Sequence, residues 1–215
     1  MKKLMIAALM VLGVAANAMA AGDATAGKEK TAACAACHGT DGNSAAPTFP
    51  KLAGQSEKYL IKQLHEINRK DKAGKVIRAV PAMTGQTENL SEQDIADIAA
   101  YFAGQKMSGG AAKPEKIALG AEIYRSGDKD KGLAACSGCH SPTGQGNAPA
   151  GFPRLAGQHA DYIAAQLKAF RTGADDADNA AARTNDGDIR IMRDIAYRLS
   201  DKEIDSVASF ISGLH

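Results

Sequence analysis

The sequence predicts an all-α protein in which one domain is written twice. The first observation is a repeated block. "CAACHGTDGNSAAPTFPKLAGQSEKYLIKQL" starts at Cys34, and "CSGCHSPTGQGNAPAGFPRLAGQHADYIAAQL" starts at Cys136. Both hold CxxCH, then Gly42 or Gly144, then FP(K/R)LAGQ, then a Tyr and a Gln-Leu in register. The second is a further match between "LSEQDIADIAAYFAGQ" from Leu90 and "LSDKEIDSVASFISGL" from Leu199. A period of about a hundred residues marks a duplicated domain rather than a solenoid unit. The third is the apolar pattern, which follows the period of a helix face and shows no hairpin or strand alternation.

The elements follow in chain order. Lys2 and Lys3 precede an apolar run from Leu4 to Ala16 and then Asn17-Ala18-Met19-Ala20. A charged start, a short apolar stretch and an A-x-A site form a secretory signal peptide over residues 1–20, cleaved near Ala20. The run is shorter than the roughly 20 apolar residues a membrane span requires. The first domain is expected over 21–107, a linker over 108–115 within the Gly- and Lys-rich stretch 104–116, and the second domain over 116–215. In each domain a helix should run near Glu57 to Arg69 or Ala160 to Arg171. A later helix is announced by Ser91 with Asp94, or Ser200 with Glu203, each pair resembling a capping box. Behind the caps, Ile95, Ile98, Ala99 and Phe102, and Ile204, Val207, Ala208 and Ile211, recur at i, i+3, i+4, i+7. Gly104 and Gly213 stand where helices often end. The offset between copies grows from 102 at the cysteines to 109 at the last helix, so the second copy carries insertions, the larger within 171–190.

Charge excludes one class of partner. Lys2 and Lys3 account for two of the 26 basic residues, so the remaining basic residues equal the 24 acidic ones. Nucleic-acid binding would call for a basic excess or stripe, and none is visible. Aromatics make up 5 % of the chain and Trp is absent. The side chains alone promise a thin core.

CxxCH admits four chemistries. A disulfide suits an oxidising compartment, and a redox dithiol is expected beside a βαβ pattern. A structural zinc site needs four converging ligands. None of these gives His38 or His140 a role. Covalent haem attachment uses every residue: Cys34 with Cys37, and Cys136 with Cys139, would share a helix face and form thioethers, while the following His meets the iron. Two haem c groups would also supply the apolar area the aromatics lack, at about 25 cal/mol per Å2 buried, and the chain without them should fold poorly. For the opposite side of the iron, Met83 and Met192 each lie seven residues before a capped helix, at Leu90 and Leu199. Both are expected in loops as iron ligands, and a His/Met pair raises the reduction potential and favours electron transfer. His65, His159 and His215 are read as surface residues, and Met107 as the edge of the linker.

With these motifs in place, the chain resembles the cytochrome c4 family over nearly its whole length after the leader. The resemblance rests on the tandem CxxCH blocks, the FP(K/R)LAGQ segments and the paired Met positions. It implies two class I cytochrome c domains related by a pseudo-twofold axis, each wrapped around one covalent haem. It implies a monomeric periplasmic electron carrier whose partners are redox proteins at the membrane surface. The donor would be a quinol-cytochrome c reductase-type complex and the acceptor a terminal oxidase. It also implies that Pro50 and Pro153 lend their carbonyls to the proximal histidines, His38 and His140. The competing reading is a dihaem enzyme of peroxidase or thiosulfate-oxidising type, which would need an open iron site or an unusual ligand.

Overall fold

The computed structural model describes residues 21–214. The leader over residues 1–20 and His215 lie outside the described residues. The described chain is helical, with three isolated β-bridges and no ladder. The first domain contains α1 (Ala24–Lys30), α2 (Ala32–His38), α3 (Glu57–Asn68) and α4 (Glu92–Ala103). The second contains α5 (Pro114–Ser126), α6 (Ser137–His140), α7 (Ala160–Asp175), α8 (Ile191–Tyr197) and α9 (Asp201–Ser212). None of the described helices is long and apolar enough to cross a membrane.

Both capping boxes form. Ser91 Oγ accepts the Asp94 N–H and Asp94 Oδ2 accepts the Ser91 N–H; Ser200 and Glu203 do the same. Two of the orphan donors at each helix start are thereby satisfied. Behind them α4 and α9 are buried along most of their length. In each domain the first helix crosses the last, α1 on α4 and α5 on α9. The crossing points hold glycines. A Cβ on Gly27 would stand 2.0 Å from Asp97 O, and one on Gly120 would stand 2.3 Å from Ser206 O. Only a hydrogen in place of a side chain lets the backbones approach so closely.

The apolar clusters differ between domains. The first consists of Leu60, Ile98, Ala99 and Phe102, fringed by half-buried Cys34, Leu52, Ile61, Leu64, Leu90 and Tyr101. The second is larger, running through Ile123, Tyr124, Leu133, Ile163, Leu167 and the buried face of α9, with Cys136 and Met192 packed against it. Leu133 enters it from the smaller insertion, whose turn is closed by the Asp128–Leu133 bridge.

Two expectations change here. Helix α5 begins at Pro114, inside the stretch read as linker, because Pro at the first helical position is pre-set for a helix and needs no donor. Met192 was expected in a loop and lies instead in α8, whose first turn follows Arg190 in the left-handed conformation (φ 53°). Asp186 fixes this entry: its carboxylate accepts the Arg193 N–H and pairs with the Arg193 guanidinium at 2.7 Å. Met83 lies in a single 3-10 turn, Pro81–Met83.

Candidate haem sites and the interface between them

The two CxxCH motifs end on helices α2 and α6. Both His38 and His140 are buried. His38 Nδ1 lies 2.9 Å from Pro50 O, and His140 Nδ1 lies 3.0 Å from Pro153 O. A carbonyl only accepts, so each imidazole carries its proton on Nδ1 and leaves Nε2 as the basic nitrogen. Burial lowers both histidine pKa values and keeps the rings neutral. An edge-on phenyl flanks each ring, Phe49 at 6.3 Å and Phe152 at 6.0 Å between centroids.

The turns that carry the prolines are matched. Gly42 O accepts the N–H groups of Leu52 and Ala53, and Gly144 O accepts those of Leu155 and Ala156. Gly42 and Gly144 have φ of 78° and 73°, and a Cβ on either would stand 2.8 Å from the Ala53 backbone nitrogen or 3.0 Å from that of Ala156. This positive φ is the reason glycine follows each motif.

No disulfide joins the four cysteines. Burial pushes the Cys136 thiol up to about 11 and raises Cys34 as well. A reactive dithiol would show the opposite, a depressed thiol pKa. Among the described residues no group of three His, Cys, Asp or Glu side chains is placed to hold a bare metal ion. What the sites offer is a thiol at the border of an apolar cluster, with a neutral, oriented imidazole one position beyond the second cysteine of each motif. That donor set fits haem c.

Met83 and Met192 are both half-buried. Met192 packs against the second apolar cluster. His65 pairs with Glu92 at 3.2 Å. His159 is not the surface residue expected: it is partly buried, and its Nε2 lies 2.8 Å from Ser44 O of the other domain. Met107 stands at the edge of the linker between α4 and α5, but its side chain is drawn into the joint. It is buried, its side chain lying between Gly54 and Gly157 of the two LAGQ turns.

Polar residues outside the motifs join the domains. Gln55 and Gln158, both buried, reach across reciprocally. Gln158 Oε1 accepts the Lys51 N–H at 2.9 Å and its Nε2 donates to Lys51 O at 2.8 Å. Gln55 does the same with Arg154, at 2.9 and 3.0 Å. The buried Lys51 ammonium donates to Ser108 O and Gly157 O. Two buried arginines cross as a second pair. Arg78 donates to Tyr162 Oη and Gln166 Oε1, while Arg183 donates to Tyr59 Oη and Gln63 Oε1. Arg183 comes from the larger insertion, which thus docks on the first domain. The guanidinium also lies over Phe170, 4.5 Å from its centroid. Among the described residues neither arginine has an ion-pair partner within 4.0 Å. The available signal was the polar Gln, Tyr and Lys/Arg repeated in register, which no buried helix face requires.

A buried, carbonyl-braced histidine ending a CxxCH helix, present once in each of two helical domains, defines a dihaem c-type cytochrome. The cytochrome c family model matches residues 24–106 and again 117–215. The chain belongs to the cytochrome c4 family. It is 55 % identical over 215 residues to cytochrome c4 of Pseudomonas aeruginosa, covering all of both chains, and 53 % identical over 218 residues to that of Azotobacter vinelandii, again over all of both. It superposes on the crystal structure of reduced recombinant cytochrome c4 from Pseudomonas stutzeri with a TM-score of 0.83 and 53 % identity, over 91 % of this chain and 100 % of that one. It is therefore an electron-transfer protein rather than an enzyme, and it carries two covalently bound haem c groups.

Proposed function

We propose that this cytochrome works in the periplasm, accepting electrons from a quinol-oxidising complex and delivering them towards a terminal oxidase. In this reading Cys34, Cys37, Cys136 and Cys139 hold the haems as thioethers. His38 and His140 would hold the irons through Nε2, and Met83 and Met192 would supply the further iron ligand in each domain. When bound, each haem supplies one-electron cycling between Fe(II) and Fe(III). The Pro50 and Pro153 carbonyls orient the histidines and raise their basicity. The Arg78 and Arg183 guanidiniums, buried and with no carboxylate within 4.0 Å among the described residues, suit the haem carboxylates, since an unpaired buried charge is costly. Domain limits of 21–107 and 116–215, the leader cleaved near Ala20 and the monomeric state belong to the same proposal.

The observation that carries it is the matched bracing of His38 and His140, with one half-buried methionine in register in each domain. The test uses the purified holoprotein. Its reduced spectrum should show two low-spin c-type haems, and carbon monoxide should bind little. Oxidised protein should be reduced by a quinol-oxidising complex with quinol, and reduced protein oxidised by a terminal oxidase. Rapid stoichiometric carbon monoxide binding at either haem, or inertness towards both complexes, refutes the reading.

A further inference from the structure

The peptide unit that braces each proximal histidine has a second hydrogen bond, and its partner comes from the other domain. The Pro50 carbonyl and the Lys51 N–H belong to one peptide group. The carbonyl accepts from His38 Nδ1 at 2.9 Å, and the N–H donates to Gln158 Oε1 at 2.9 Å. The twin peptide is Pro153–Arg154: its carbonyl accepts from His140 Nδ1 at 3.0 Å, and its N–H donates to Gln55 Oε1 at 2.9 Å. Each glutamine oxygen also accepts the N–H of the next residue in its own chain segment, Ser56 or His159, which holds the amide plane in place.

We propose that Gln55 and Gln158 are positioning residues that tune the proximal histidine of the opposite domain through this shared peptide. Accepting the peptide N–H draws electron density towards the carbonyl oxygen and makes it a better acceptor. Hydrogen bonds in such a chain strengthen one another by about 10–30 % each. A stronger bond at Nδ1 gives the imidazole more anionic character, and a more basic ligand favours Fe(III). Gln158 therefore lowers the potential of the haem on His38, and Gln55 lowers that on His140. The tuning is crossed, so the state of the interface is felt at both ligands at once.

The inference rests on His38 and His140 being the iron ligands. Gln158→Leu, Gln55→Leu and the control Lys58→Ala are made in the full-length holoprotein. Lys58 also bonds across the interface, to Pro149 O, but touches neither peptide. Haem resonances are followed by NMR, domain by domain, at a series of applied potentials. Proximal His Nδ1–H shifts are read in the reduced protein. Gln158→Leu should raise the reduced-to-oxidised ratio of the first haem about twofold at fixed potential, about 18 mV at about 59 mV per tenfold. It should shift the His38 N–H upfield, with the second haem unmoved. Gln55→Leu should give the mirror image. A shift confined to the glutamine's own domain, equal shifts in both, no shift, or the same shift in Lys58→Ala overturns the inference while leaving the ligands standing. Wild-type spectra in which the His38 and His140 ring signals lack the shifts of iron-bound imidazole overturn the ligand reading, and the inference with it.

Discussion

At the residue scale, the bracing of His38 by Pro50 and of His140 by Pro153 was legible in the sequence and the surroundings of the methionines less so. CxxCH names its own chemistry, so His38 and His140 could be singled out before any fold was known. Met192 lies in a helix rather than the loop read for it, because α8 is created by Arg190 and Asp186, which have no counterparts in the first copy. Changing Met83 or Met192 to Ala should open one haem to carbon monoxide and lower its potential, since the thioether raises it; gas titration with spectroelectrochemistry checks this. Asp97 gives a second prediction. It is buried and accepts from Lys30 Nζ, the Asp23 N–H and Gln93 Nε2. The Lys30 bond first, then the Asp23 and Gln93 donors, hold its pKa at about 2, below the ordinary 3.8. A depressed carboxylate stabilises the fold above its unfolded pKa, and that contribution is lost as pH falls through the folded one. Thermal midpoints should therefore fall between about pH 4 and pH 2, and Asp97→Asn should show a smaller drop over that window.

At the element scale, the capped helices α4 and α9 were visible because capping boxes and an i, i+3, i+4, i+7 face are local signals. The crossings of α1 on α4 and α5 on α9 were not, because a glycine in a helix looks locally unfavourable and its purpose lies on the partner helix. Gly27→Ala makes the point measurable. In an isolated helix the change should stabilise by about 1 kcal/mol. Here the new Cβ would meet Asp97 O, so the domain should lose about 1–3 kcal/mol as the helices are forced apart. Gly120→Ala should do likewise against Ser206, while Gly109→Ala, with nothing within 4 Å of the added Cβ, should change little. Denaturant midpoints of the holoprotein decide it.

At the scale of the whole molecule, the duplication was plain in the sequence but the way its halves grip was not. Gln, Tyr, Lys and Arg are read by default as solvated, and only the fold shows that they reach across the joint to the other copy. The stretch 171–190 looked like a polar insertion and includes Arg183 and Asn185, both buried at the joint. Lys51→Met should leave the Ser108 and Gly157 carbonyls unpaired at about 1–3 kcal/mol. Urea unfolding should then separate into two transitions, the haem absorbance and the far-ultraviolet signal no longer coinciding. The path of the chain between the halves has a further consequence. Met107 and the Ser108 carbonyl pass directly through the joint, so the tether is itself part of what it connects. A short tether holds its two ends at about millimolar effective concentration. Contacts too polar to keep two separate chains together are sufficient here. Relieved of the need to recognise a free partner, each copy could diverge on its own, and the second has done so at residues 128–133 and 171–190 without giving up the matched grip.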